Sequence, residues 1–240
     1  MKKSILIILI VVFGGNFVFA QRLSARLDVG GSKRTYSNLN PHHNDFFITP
    51  KHSFNLGIGV KMPIRNFCEF SSDLLFTNIN SHVQGNGVIS DTSYHMFLEL
   101  PNGPFSELSK EHYYFWSLQS YFSFGTKPVK LFFGGRLAML SFFHGKYVLN
   151  YVGGGWESKT ELDKERRKDF DYGYIAGCNI NLSPKIDMIF TYYHGLQDLT
   201  HKLPAPRLNA YQYNYQLTMG ISYLLKDYEK QKMRTKEKLT

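Results

Sequence analysis

Between residues 211 and 225 the chain alternates. Tyr211, Tyr213, Tyr215, Leu217, Met219, Ile221, Tyr223 and Leu225 take the odd positions, and Gln212, Asn214, Gln216, Thr218, Gly220 and Ser222 fall between them. A β-strand projects successive side chains to opposite faces, so this segment has one apolar-aromatic face and one polar face. It is longer than a globular strand of about five or six residues. About twelve residues at roughly 3.3 Å each, tilted by about 40°, rise near 30 Å, the thickness of a bilayer's hydrocarbon. The pattern predicts a membrane-spanning strand.

The same period predicts seven further strands, over 22–31, 52–62, 67–79, 112–125, 129–143, 169–182 and 185–195. Their apolar faces carry Leu23, Ala25, Leu27 and Val29; Phe54, Leu56, Ile58 and Val60; Phe70, Leu74 and Phe76; and Tyr114, Trp116, Leu118, Phe122 and Phe124. They continue with Val129, Leu131, Phe133, Leu137 and Met139; Phe170, Tyr172, Tyr174, Ala176, Ile180 and Leu182; and Ile186, Met188, Phe190 and Tyr192. Ser72 and Ser120 break the rule on the outward face, and Phe132 and Leu140 on the inward one.

Short, turn-rich connections at Pro63–Asn66, Thr126–Pro128 and Ser183-Pro184 alternate with long ones over 32–51, 80–111, 144–168 and 196–210. An even strand count with tight turns at one end and long loops at the other is the signature of outer-membrane barrels. The expected fold is all-β: an eight-stranded antiparallel up-and-down transmembrane β-barrel. A soluble lipocalin-like barrel shares the alternation but has no reason to alternate its loop lengths. Trp116, Tyr114, Tyr192, Tyr211 and Tyr213 lie near strand ends adjoining long loops. Phe124, Tyr223 and Phe170 or Tyr172 are assigned to the other ends, as two aromatic girdles.

Composition narrows the choice. In 240 residues, 43% are hydrophobic and 16% aromatic, which excludes a disordered chain. Two cysteines exclude a disulfide scaffold. Mean hydropathy is -0.27, and the one long apolar run is at the N-terminus, which argues against a helical membrane protein. Lys2 and Lys3, the run Ile5 to Phe13, and Val18-Phe19-Ala20 before Gln21 read as a cleavable secretory signal peptide over 1–20. Its removal lowers the formal net charge from +9 to +7. The expected domains are therefore the signal peptide 1–20, a barrel over 21–225, and a basic periplasmic tail over 226–240.

An eight-stranded barrel is just wide enough to be filled by its own side chains. The predicted inward charges are Arg26, Lys61, Lys130 and Arg136 against Asp28, Glu69, Asp73, Asp171 and Asp187. They are expected to pair nearly completely into an internal plug. Function then belongs to the loops or the outer wall.

All nine histidines (42, 43, 52, 82, 95, 112, 144, 194 and 201) map to long loops or their strand ends. They are read as polar rim residues in preference to a zinc or copper site, since no H-x-E-x-H or H-E-x-x-H spacing occurs. No metal or cofactor is expected. Catalysis is not expected either: Ser93, Ser141 and His194 are available to a lipid-modifying enzyme, but no G-x-S-x-G is present. Gly153-Gly154-Gly155 has no Lys-Ser or Lys-Thr after it and reads as a loop. Lys159 to Asp169 mixes both signs and reads as a solvated loop or short rim helix in preference to a contact for lipopolysaccharide phosphates. Cys68 and Cys178 fall on outward faces of non-adjacent strands and are expected to stay free. Basic residues spread over lumen, loops and tail exclude a nucleic-acid surface.

Asp171-Tyr172-Gly173 with Ala176-Gly177, then Tyr192-Tyr193-His194-Gly195-Leu196, and a last strand ending Gly-x-x-Tyr-x-Leu resemble the PorT-like outer-membrane β-barrel family of Bacteroidetes. The hairpin Ser123 to Leu131 leading to Gly134-Gly135, and Gln21 after the cleavage site, resemble it too. The likeness covers most of 22–225. It implies an eight-stranded barrel in the cell outer membrane, in a family whose founding member is implicated in protein secretion and gliding. Thr218-x-Gly220-x-x-Tyr223-x-Leu225 resembles the β-signal read by the barrel assembly machinery, although here a 15-residue tail follows. The expected partners are outer-membrane lipid and lipopolysaccharide, the assembly machinery during insertion, and secretion-apparatus subunits. The expected function is structural or recognition work by the extracellular loops, with an accessory part of a secretion or gliding machinery as the alternative.

Overall fold

The computed structural model describes residues 22–37, 45–89, 103–151, 157–162, 169–197 and 211–228. The signal peptide, the tail beyond Tyr228, Gly153 to Gly155, Ser93 and His42, His43, His95 and His201 lie outside the described residues. Among the described residues there are nine strands: β1 (Arg22–Ser37), β2 (Asp45–Arg65), β3 (Cys68–Ile89), β4 (Gly103–Phe124), β5 (Val129–Tyr151), β6 (Glu157–Leu162), β7 (Phe170–Ser183), β8 (Ile186–Gly195) and β9 (Tyr211–Asp227). All pair antiparallel, and eight of them close a ring in the order β1-β2-β3-β4-β5-β7-β8-β9, with β9 returning to β1 from Arg22↔Asp227 to Ser37↔Tyr211. β6 stands outside the ring, paired only to the upper part of β5.

Tight turns at 66–67, 125–128 and 184–185 share one end of the barrel with Arg22 and Asp227; this end is the turn rim. Gly125 serves the β4–β5 turn with φ +129°, a left-handed conformation that L side chains rarely adopt. The opposite end is the loop rim.

Side chains follow the alternation. Leu131 and Leu217 (65% exposed) and Phe133 (61%) face outward, while Arg26, Asp28, Asn55, Asp73, Gln119, Arg136 and Asp171 are buried within. A water-soluble barrel has the opposite polarity. Closing the ring satisfies the backbone groups that an open edge would expose. On the outward face the misfit Ser72 and Ser120 hydroxyls bond each other at 3.2 Å.

Three expectations need correction. The 80–111 segment is not simply a loop: β3 and β4 stay paired up to Ile89↔Gly103. Likewise 144–168 contains the rest of β5 and all of β6, so Lys159 to Leu162 is strand, not loop or helix. β7 descends from the long connection, so Phe170 and Tyr172 belong to the loop rim. The lumen also departs from a purely polar filling. Ile79, Tyr113, Phe115, Ala138, Leu140 and Phe143 form one inward apolar cluster, and Tyr121, Phe132, Ile175, Ile189 and Tyr193 a second. A cylinder this narrow lets opposite walls touch, and apolar contact fills space that charge pairs do not.

β2 bulges at residues 51–53, where its register to β3 jumps from Pro50↔Ser81 to Phe54↔Asn78. The bulge separates β2 from β3, and β1 closes the gap. Ser32 Oγ donates to the Asn80 carbonyl at 2.8 Å and accepts from the Asn80 N–H at 2.9 Å.

Candidate functional site

The centre of the lumen is built on β1, whose inward positions carry Arg26 and Asp28. Arg26 grips Asp28 with Nε and Nη2 (3.0 and 2.8 Å), donates Nη1 to Asp73 on β3 (2.5 Å), and donates Nη2 to Thr191 on β8 (2.8 Å). Tyr121 donates to the same Asp73 carboxylate at 3.1 Å, and Asn55 to Asp28 at 3.0 Å. Gly59 and Gly220 make room for this cluster: a Cβ at either would collide with Asp73 Oδ1 or Asp28 Oδ1. Buried charges persist only when paired and hydrogen-bonded, and this triad meets both conditions.

Arg136 is different. It is also buried, donates Nη1 to Gln216 at 2.9 Å, and lies 4.3 Å over the Tyr193 ring. A guanidinium over an aromatic face gains from the ring quadrupole without a carboxylate. Its Nε and Nη2 find no hydrogen-bond partner, so ion pairing is less complete than the charge count predicts. Gln216 reaches Asn55 at 3.3 Å, which links the two arginine sites into one brace across the barrel.

At the turn rim a cavity of about 110 Å³ is lined by Arg22, Lys61, Glu69, Lys130, Asn179 and Asp187, among others. Lys61–Asp187 (2.7 Å) and Lys130–Glu69 (3.4 Å) pair across it, and Arg22 lies 3.8 Å from Glu69 and 3.6 Å from Asp227. The brace at the centre and these ion pairs at the turn rim both fill the lumen with side chains.

The outer wall of β3, β4 and β5 is ordered in rows. Ascending from the turn rim, Phe70, Phe122 and Phe133 share a row; then Leu74, Leu118 and Leu137; then Phe76, Trp116 and Met139; then Asn78, Tyr114 and Phe142. Ten residues from Cys68 to Asn78, tilted by about 40°, rise about 25 Å, the height of the apolar band of a membrane barrel. The next two rows change character: Asn80, His112 and His144, then His82, Lys110 and Lys146. His112 and His144 stack with ring centroids 6.2 Å apart, and His112 Nδ1 lies 2.8 Å from Asn80 Oδ1. Burial first, then His144 and Lys110, hold His112 below the ordinary imidazole range; burial, then Lys51 and Lys110, do the same to His82.

No family model matches the chain, and no curated protein matches it. Solved structures do. Neisserial surface protein A is similar at 14% identity and TM-score 0.35, over 84% of this chain and 96% of its own. Ail, the attachment invasion locus protein of Yersinia pestis, is similar at 14% and 0.35, over 85% and 99%. The outer membrane protease OmpT from Escherichia coli is similar at 10% and 0.45, over 86% and 97%.

All five described histidines stand on strands: His52, His112 and His194 near the strand ends where they were expected, and His82 and His144 on strand where a loop was expected. Four form the belt just above the band, counting His52 in the β2 bulge. His194 sits in an aromatic group on the other wall, stacked on Tyr174 (4.9 Å) and edge-on to Tyr215 (4.5 Å). Among the described residues no three His, Cys, Asp or Glu converge as metal ligands. Ser141 and His194 are not brought together: His194 pairs with Tyr174, which pairs with Gly135, six residues below Ser141 on β5. Cys68 and Cys178 are both free. Sequence reasoning missed the Lys110 and Lys146 row, because it placed both residues in loops.

Proposed function

We propose that this chain is a small outer-membrane protein with a side-chain-filled lumen, which acts by structural or recognition work at its extracellular end and not by transport or catalysis. One observation carries the reading: β3 and β4 remain paired for eleven residues beyond the top of the apolar band, as an extended blade. Ordered strand presents a fixed surface at lower entropic cost than a flexible loop, which suits recognition. The braced lumen supports the exclusion of transport.

The test is topological. An epitope inserted between residues 90 and 102 should be labelled by antibody on intact cells, and one after Thr240 only after the envelope is permeabilised. The reverse pattern overturns the reading. In planar bilayers the purified protein should give no steady openings of porin size. Recovery of secretion-apparatus subunits with the solubilised protein would shift the assignment to an accessory component of that machinery.

A further inference from the structure

The belt above the apolar band has a chemistry that recognition by a distant blade leaves unused. Its described outward residues are Asn80, His82, Lys110, His112, His144 and Lys146, none of them acidic; on β6 the register partner of Lys146 is Glu161. On the wall of β7, β8 and β9 the rings of Tyr174, Tyr192 and Tyr215 gather about His194, with Lys33 of β1 5.9 Å from the Tyr215 ring. The basic row itself is built on β3, β4 and β5, and Lys33 stands apart from it on β1.

Beside it, the β2 bulge leaves a recess of about 800 Å³ in the outer wall. Val29, Gly31, Lys51, His52, Phe54 and Asn80 line it. Nothing but backbone and one proline carbon comes within 4 Å of a Cβ placed on Gly31, so the floor there is open. Asn80 joins recess to belt: its Nδ2 donates to the His52 carbonyl at 2.5 Å, and its Oδ1 meets His112. Val29 is 55% exposed, so the apolar part of the recess faces outward as well.

We propose that this recess and belt bind the phosphorylated headgroup of an outer-leaflet lipid, with Lys51, Lys110, His112 and Lys146 holding the phosphate and Val29 and Phe54 lying along the first acyl carbons. The inference rests on the outer-membrane reading above. Three physical arguments support it. The belt lies about one bilayer core above the turn rim, where headgroup phosphates are. Like charges crowded on one face repel one another, and a bound phosphate relieves that repulsion; Lys51, Lys110 and His144 add to burial, the larger cause, in lowering the proton affinity of His82 and His112. Finally, the recess offers apolar contact and cations side by side, as an amphiphile requires and a free anion does not.

The experiment uses the full chain in detergent, with native mass spectrometry counting bound diphosphoryl lipid A and phosphatidylcholine. The wild type should retain lipid A preferentially and lose it at high salt. The triple substitution K51Q/K110Q/K146Q should weaken lipid A binding on the order of a hundredfold, while K51R/K110R/K146R should keep it. Unchanged binding by the glutamine variant, or equal retention of dephosphorylated lipid, overturns the site. Resistance of unboiled protein to SDS and outer-membrane fractionation are read in parallel. A glutamine variant that inserts normally and still holds lipid A sinks only this inference, whereas a wild type found outside the outer membrane sinks the reading beneath it. Should the triple variant not fold, K110Q alone, at an exposed position, must lower binding or the site is rejected.

Discussion

β4 has 22 residues and β8 has 10, although both cross the same barrel. β8 stops at Gly195, about where the apolar band stops. β4 goes on, flanked by β3 on one side and by β5 with β6 on the other. The short wall is the least strand that can span the band, and its rim is aromatic. The tall wall adds a basic row and then a blade. Spanning and projecting are therefore separate tasks. The first is served by every strand of the ring, while the second falls to β2 through β6.

If that division holds, damage to the braced interior should dominate all other effects. Arg26→Met removes the counter-charge of Asp28 and Asp73 together, and is expected to cost about 3–5 kcal/mol, read as loss of the SDS-resistant form on heating. A charge placed on the outward face within the band comes next. Leu137→Arg, on the outward face within the band and 48% exposed, should cost about 2–4 kcal/mol. His144→Arg, two rows above the band's last apolar row but one, should change stability by no more than about 0.5 kcal/mol. Equal costs at the two sites, measured by urea unfolding in lipid vesicles, would erase the boundary drawn between band and belt.

Smaller effects sharpen the comparison on the tall side. Ser32→Ala strips both partners from the Asn80 backbone beneath the β2 bulge and should cost about 1–3 kcal/mol. Amide hydrogen exchange should quicken at Asn80 but not on β8. The smallest effect concerns pH. His82 and His112 bind protons less readily folded than unfolded. Their contribution is therefore complete above the ordinary imidazole value, about 6.5, and declines as pH falls through it. Facing groups are Lys51 and Lys110 for His82, and Asn80, Lys110 and His144 for His112. Unfolding of the tall wall should thus ease slightly in mild acid, and bound lipid A should reverse the slope.

Much of the barrel is legible in the chain. Within the band, lipid on one side and a polar lumen on the other impose strict alternation, as from Tyr211 to Leu225. Above the band that contrast vanishes, and with it the period. Gln84-Gly85-Asn86-Gly87 and Ser106-Glu107-Leu108-Ser109 look like loop although they are paired strand. β6 was hidden for the same reason. The belt was half visible: its histidines stood out by type, but only register set His112 beside His144 and Lys110 beside Lys146.

By itself, the order of apolar and polar residues determined which face of each strand points out, how many strands close the ring, and which connections are tight. Local sterics and the period of two suffice for that. Which inward residues meet was decided by the closed cylinder alone. Arg26 reaches Asp73, 47 positions away, and Thr191, 165 away. Phe132 and Leu140 look like errors of patterning until curvature brings apolar neighbours against them. A strand's pattern specifies orientation relative to its own axis, but contacts across a lumen depend on diameter, tilt and register, which exist only once the ring has closed.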